Sequence, residues 1–174
     1  MKDSFDPVID KVDLMLAELC GMRSLGPHFK IVHRFREPGC LCAPGEEVFM
    51  IALVHHAREF PLRLSLAQRI LFDYLAHSRF SHSAGQIEIG IRASTFYQKH
   101  GANVTRPDMN RTISRSGIKT YVRRIRQALA MAFHESGIHA DPSKVLVAEP
   151  TVSNQVGYAL RATCDWIHLD CVLE

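Results

Sequence analysis

Apolar residues recur at the spacing of an α-helix over residues 115–136, and this is the clearest pattern in the chain. Positions i, i+4, i+7 and i+11 share one narrow stripe of a helix, which predicts that this face packs into a core. The stripe consists of Ile118, Val122, Ile125 and Leu129. Gly137 is the expected end of the helix, because glycine adopts the left-handed conformation without strain.

Three further helices are predicted where a capping residue precedes helically spaced apolar residues. Their caps and approximate ends are Asp6 and Gly21, Ser65 and Leu75, and Ser94 and Gly101. The first of these helices, over residues 6–20, carries an apolar stripe of its own: Ile9, Val12, Leu16 and Leu19.

Strands are predicted where apolar or alternating runs are bounded by turn residues. The predicted strands cover residues 29–35, 48–55, 60–65, 145–149 and 156–162. A short polar loop separates the last two, which predicts a β-hairpin, and residues 141–144 are expected to form a turn before it. Residues 86–91 alternate, but the run is too short to decide between strand and helix.

The composition is that of an ordinary globular protein, with 174 residues, 47% hydrophobic and 22% charged. This size predicts one domain over residues 29–174, with a helical extension over residues 1–28. No apolar run approaches the roughly 18 residues of a membrane span, and the acidic start does not resemble a signal peptide. We therefore expect a cytoplasmic protein that makes no membrane contact.

Charge is distributed unevenly along the chain. Residues 106–126 carry seven basic residues and one acidic residue, a net charge of +6, whereas the whole chain carries +3. Residues 1–20 carry a net charge of −3. A concentrated positive segment favours a polyanionic partner.

The basic residues of the predicted helix lie opposite its apolar stripe. At 100° per residue, the far side carries Ser116, Lys119, Thr120, Arg123 and Gln127, with Arg124 and Arg126 at its flanks. A helix fits the major groove of duplex DNA, where arginine pairs with guanine edges while hydroxyls and other cations hold phosphates. The alternative is a solvated amphipathic helix without a partner, since basic helix faces are common.

Three stretches together resemble the winged-helix effector domain of OmpR/PhoB-type transcriptional regulators. LSLAQRILFDYLAH at 64–77 resembles the first helix of that domain, and GIKTYVRRIRQAL at 117–129 resembles its recognition helix. VGYALRA at 156–162 resembles the strand that closes its wing. The resemblance implies an α+β fold: a winged helix-turn-helix with an N-terminal antiparallel sheet, a three-helix core and a C-terminal β-hairpin wing.

The resemblance also implies a function, which is sequence-specific binding of double-stranded DNA by a transcriptional regulator without catalytic activity. The expected partners are duplex DNA, a second copy of the chain in a homodimer, and RNA polymerase. By position, Lys119, Thr120, Arg123 and Arg124 would face DNA, whereas Arg126 would contact either the DNA backbone or its own domain. The full set of expected DNA-binding residues is Arg115, Ser116, Lys119, Thr120, Arg123, Arg124, Arg126 and, in the wing, Asn154.

The chain departs from this family in several places. About 28 residues stand where the family has a receiver domain, so no phosphoacceptor can be assigned. Lys119 replaces the typical acidic residue of the recognition helix, and Tyr121 replaces its histidine. The wing carries Ser-Asn-Gln where the family usually has an arginine. These departures keep open a second class of function, a winged-helix protein-interaction module that does not bind DNA.

Other candidate chemistry is weak. Cys40 and Cys42, with His33, His55 and His56 nearby, could suggest zinc, but the Cys-x-Cys spacing is short and a second pair is missing. The five cysteines are an odd number, which favours reduced thiols. No nucleophile elbow, phosphate loop or paired-carboxylate motif accompanies them. We therefore expect that the protein has no enzymatic activity and binds no metal or cofactor. We expect the tail around Trp166 to pack into the core or to form a contact surface.

Overall fold

Two small β-sheets and a set of helices make up an α+β fold. The computed structural model describes residues 26–34, 48–78, 80–97 and 113–169. Its strands are β1 (His28–Arg34), β2 (Val48–His55), β3 (Arg58–Pro61), β4 (His82–Ser83), β5 (Leu146–Pro150), β6 (Val156–Leu160) and β7 (Thr163–His168). Its helices are α1 (Leu66–His77), α2 (Ala84–Ala93), α3 (Arg115–Ser136) and α4 (Pro142–Val145).

The larger sheet has the strand order β3-β2-β1-β7. β2 is antiparallel to β1 and β3, whereas β7 runs parallel to β1, with His28 opposite Thr163. The three N-terminal strands therefore pair antiparallel as expected, and the sheet is mixed because β7, which was not expected in it, adds a parallel strand. The hairpin was expected to end the domain, but a further strand, β7, follows it. The chain after β6 returns to the larger sheet, where β7 pairs with the free edge of β1.

The smaller sheet has the order β4-β6-β5 and contains the predicted hairpin. β5 and β6 are antiparallel, with Leu146 opposite Leu160, and the Thr151 N–H donates to the Gln155 carbonyl across the turn at 2.8 Å. The two residues of β4 pair with β6. The hairpin prediction is confirmed, and the sheet also includes a short strand that the sequence did not indicate.

Capping determines where α1 and α2 begin. Ser65 accepts the Gln68 N–H and the Gln68 side chain accepts the Ser65 N–H, and Ser83 and Gln86 repeat this arrangement. Residues 86–91, left open between strand and helix, are therefore helical. Their alternation was uninformative because Ile87 and Ile91, four residues apart, are buried while Ile89 is 70% exposed.

Two local predictions need correction. The strand expected over 60–65 is β3 at Arg58–Pro61. A turn of two residues, 56–57, follows β2, so pairing between β2 and β3 already begins with His55 opposite Arg58. The turn expected over 141–144 is the short helix α4, since Asp141 accepts the Ser143 N–H and Pro142 suits the first helical position.

The long helix α3 was predicted with the bounds that it has in the structure. Ser114 caps its start, and Gly137 ends it with a φ of 76°. All four residues of the predicted stripe are buried, and they join a core that also includes Phe29, Leu53, Phe72 and Leu146. Packing of this stripe fixes which face of α3 points to solvent.

Some predictions fall outside the described residues. These are the helix over 6–20, the extension over 1–28 apart from its last three residues, and every cysteine except Cys164. Of the helix expected after Ser94, only a helical turn at 95–97 is described. Within the described ranges, no helix is both long enough and apolar enough to cross a membrane.

Candidate nucleic-acid interface

The solvent-facing side of α3 brings six of the eight predicted site residues together. Each of the six is exposed, and together they span the first three turns of the helix: Arg115, Ser116, Lys119, Thr120, Arg123 and Arg124. Within the described part of the chain, none of the four cations on this face forms an ion pair. Their charge is therefore available to a partner in solution.

The start of α3 rests on α2 through a carboxylate that the sequence analysis did not single out. The Arg115 N–H donates to Glu88 Oε2 at 3.1 Å, and the other oxygen of Glu88 pairs with Arg92 at 2.8 Å. A carboxylate is favourable at a helix N-terminus, where unpaired N–H groups concentrate positive charge. Glu88 therefore fixes the first turn of α3 against α2.

Arg126 has a different role from the arginines on the exposed face. It is half-buried, and its Nε–H donates to the Leu146 carbonyl at 2.8 Å. Two alternative contacts were expected for this residue, one with the DNA backbone and one with its own domain. The structure contains the contact within the domain. Arg126 thereby ties α3 to the first residue of β5.

Asn154 lies in the turn between β5 and β6. It is exposed and has a left-handed φ of 56°, which asparagine tolerates better than most residues. Its neighbours in the hairpin include Val152, which is fully exposed, and Val156, which is 68% exposed. The turn over 151–155 carries no charged residue, so it offers amide and hydroxyl groups but no cation.

A groove lies between β3, α1 and the C-terminal half of α3, next to the exposed basic face. Its volume is about 320 Å³, and its floor includes Ala128 and Ala132. Arg63 and Arg124 line it, and Met131, 51% exposed, contributes an apolar wall. The small alanine side chains leave this space open beside the predicted DNA-facing residues.

A second cluster of polar groups is buried on the other side of α1, around Asp73, whose carboxylate is fully buried. Tyr97 donates to its Oδ2 at 2.6 Å and Trp166 Nε1 donates to its Oδ1 at 3.0 Å. Burial, reinforced by this carboxylate, raises the pKa of Tyr97. An acidic residue within the apolar positions of a predicted helix is a signal that could have revealed the cluster. Trp166 is thus half-buried core, consistent with one of the two expectations for the tail.

His33 lies beside this cluster, with its Nε2 at 3.7 Å from Asp73 Oδ1. Burial lowers the pKa of His33, and the neighbouring His168 and His77 act in the same direction while Asp73 opposes them. Among the described residues, no three His, Cys, Asp or Glu side chains are placed to hold a metal ion. Cys40 and Cys42, which raised the question of zinc, lie outside the described residues.

The chain was compared with protein-family models, with curated proteins and with solved structures, and none of the three comparisons found a match.

Proposed function

We propose that this protein is a winged-helix transcriptional regulator that binds double-stranded DNA by inserting α3 into the major groove. The observation that carries the proposal is the exposed face of α3, where four cations without ion pairs in the described structure and two hydroxyls lie opposite a buried apolar stripe. Guanidinium groups suit guanine edges, while lysine and hydroxyl side chains suit phosphates. A rigid helix anchored on one side presents these groups in fixed positions.

The order of the elements supports the winged-helix interpretation. α1, β4, α2 and α3 are followed by a hairpin, and β4 pairs with that hairpin in the same small sheet. Three helices followed by a hairpin is the order that the resemblance to the OmpR/PhoB-type domain implies, with the short helix α4 in addition. β7, which pairs parallel with β1, is a departure from the expected arrangement. Homodimer formation, contact with RNA polymerase and a cytoplasmic location belong to the same proposal.

The second candidate is a winged-helix module that binds another protein and not DNA. The hairpin turn favours it, because two exposed valines and no cation stand where a wing would contact DNA. Exposed apolar side chains at a loop tip are more typical of a protein contact than of a phosphate contact.

A binding titration separates the two candidates. We expect labelled duplexes of mixed sequence to bind with an affinity that falls steeply with salt, and selection from a random pool to enrich a preferred subset. The double variant Lys119→Ala/Arg124→Ala should flatten the salt dependence by about one unit of slope per lost phosphate contact. Arg58→Ala, which removes an exposed arginine of β3, is the control and should change little. Affinity with neither salt dependence nor sequence preference would favour the protein-interaction module.

A further inference from the structure

The groove beside α3 combines apolar walls with a rim of net positive charge. Ala128 and Ala132 form the floor, and Met131 and Pro61 are apolar walls. Two cations, Arg63 and Arg124, outnumber the single carboxylate of Glu135. Such a site fits an amphipathic segment whose apolar stripe is flanked by acidic residues. Arg124 also belongs to the proposed DNA-binding face, so an occupant of the groove would compete with DNA.

One segment of this chain has the required chemistry. Residues 6–20 carry the stripe of Ile9, Val12, Leu16 and Leu19. Asp6, Asp10 and Asp13 follow at i, i+4 and i+7, so on a helix they would line one flank of that stripe. The segment as a whole has a net charge of −3. A helix of this length is marginal in water on its own and gains stability by packing its apolar face.

The chain is long enough to bring this segment to the groove. Lys30 of β1 lies opposite Ala52 of β2, and Ala52 lies opposite Pro61 of β3. Two strand spacings, about 10 Å, therefore separate Lys30 from the groove wall at Pro61. Gly26, the first described residue, lies four residues before Lys30, about 13 Å further along the chain, so the straight distance from Gly26 to Pro61 is about 16 Å. The five residues 21–25 can span up to about 17 Å when extended. Residues 6–20 can therefore reach the groove without rearrangement of the sheet.

We propose that the groove between β3 and the C-terminal half of α3 binds residues 6–20 of the same chain, and that this docking competes with DNA for α3. The second part rests on the proposed function, whereas the docking itself does not. The acidic segment would then act as an internal inhibitor, because it places carboxylates next to Arg124 where phosphates would bind.

Cross-linking tests the docking without DNA. The photoreactive residue p-benzoylphenylalanine replaces Met131 in the full chain, and in a control chain it replaces Ile89, which is 70% exposed on α2. We expect an intrachain cross-link from position 131 to residues 6–20, and none from position 89. Arg63→Glu should reduce the yield of this cross-link. Adding Asp10→Lys to the Arg63→Glu variant should restore the yield. Absence of the link, or a link to a second copy or to another segment, would overturn the docking.

DNA titration then tests the competition. The variant Val12→Ser/Leu16→Ser changes no charge, so a gain in affinity cannot come from general electrostatics. If the segment is docked about nine-tenths of the time, release should raise the affinity for DNA about tenfold. Unchanged affinity together with an intact cross-link in the parent chain would overturn the competition. Failure of every variant to bind DNA would overturn both the proposed function and the competition, while the cross-link would still decide the docking.

Discussion

At the scale of single residues, arginines of similar sequence context have different roles. Arg123 points to solvent, whereas Arg126, three positions later, donates to the Leu146 carbonyl. Arg69 in α1 donates to the carbonyls of Leu64 and Phe49 at 2.9 and 2.7 Å. The difference depends on whether a backbone carbonyl lies within reach of the guanidinium group. Arginines without such an acceptor or a carboxylate partner remain available to a partner molecule.

Replacing Arg123 by alanine should weaken DNA binding without unfolding the protein. Loss of one bidentate base contact should cost roughly 1–3 kcal/mol and relax the preference at one base pair. The melting temperature should not change, because the side chain is exposed and forms no ion pair with the described residues. Binding to a randomised duplex pool followed by sequencing measures both effects. An unaltered preference would show that Arg123 reads no base.

Trp166→Phe should destabilise the fold although the aromatic ring is kept. The substitution removes the N–H that donates to the buried Asp73 carboxylate, and an unpaired buried acceptor costs about 1–3 kcal/mol. Urea denaturation of the variant and the wild type gives this difference. Tyr158→Phe is the control, since it removes a hydroxyl that makes no hydrogen bond among the described residues. An equal effect of both substitutions would argue against the bond.

Stability should fall as the solution becomes more acidic, with a contribution from His33. Because burial lowers the pKa of His33 in the folded state, the unfolded chain takes up a proton near the ordinary value of 6.5 while the folded chain does not. The contribution is complete above that pH and is lost as the pH falls towards the lower folded value. His33→Gln, which does not titrate, should lose less stability than the wild type between pH 7.5 and pH 5.5 in thermal melts. Equal losses would exclude His33 as a cause.

At the scale of elements, hydrogen-bonded caps and the helical spacing of buried residues decide where the helices begin and end. α1 and α2 start at the same kind of box, a serine with a glutamine three positions later. α3 runs between a serine cap and a left-handed glycine, and its seven buried residues hold it on the core. A helix fixed at both ends and along one face keeps its opposite face in a constant orientation.

Val122→Asp should unfold the domain or cost several kcal/mol. Val122 is 3% exposed within the buried stripe of α3, where a carboxylate finds no compensating charge. Gln127→Asp introduces the same charge on the exposed side of the same helix and should melt near the wild-type temperature. Circular dichroism melts of both variants make the comparison. Similar melting of the two would mean that the orientation of α3 is wrong.

At the scale of the whole molecule, β7 connects the end of the described chain to its beginning. It pairs along β1 over six residues, the Leu169 N–H donates to the His33 carbonyl, and Trp166 reaches Asp73 of α1. β1 is thereby paired on both edges and becomes an interior strand. The strand after the hairpin is part of the core structure and not an appendage.

Truncation after Ala162 should therefore abolish cooperative folding. The loss of β7 exposes the edge of β1 and removes one of the two donors to the buried Asp73 carboxylate. Truncation after Leu169, which keeps β7 and its last described hydrogen bond, should leave a cooperative urea transition near that of the full chain. A cooperative transition in the shorter chain would show that the three-helix part folds without β7.

The local pattern of the sequence was sufficient for features that depend on a residue and its near neighbours. The stripe and end of α3, the Ser65 cap, the strand over 48–55 and the exposed basic face are of this kind, because helical periodicity and capping act within a few residues. The helical state of 86–91 also has a local signal, the capping box of Ser83 and Gln86, which the sequence analysis did not use. Tertiary structure alone decided the parallel placement of β7 and the contact of Arg126. Both depend on a partner distant in sequence, because β1 offers a free edge and Leu146 offers a carbonyl. A local pattern records which side of an element is apolar, but it does not record which distant element will cover that side.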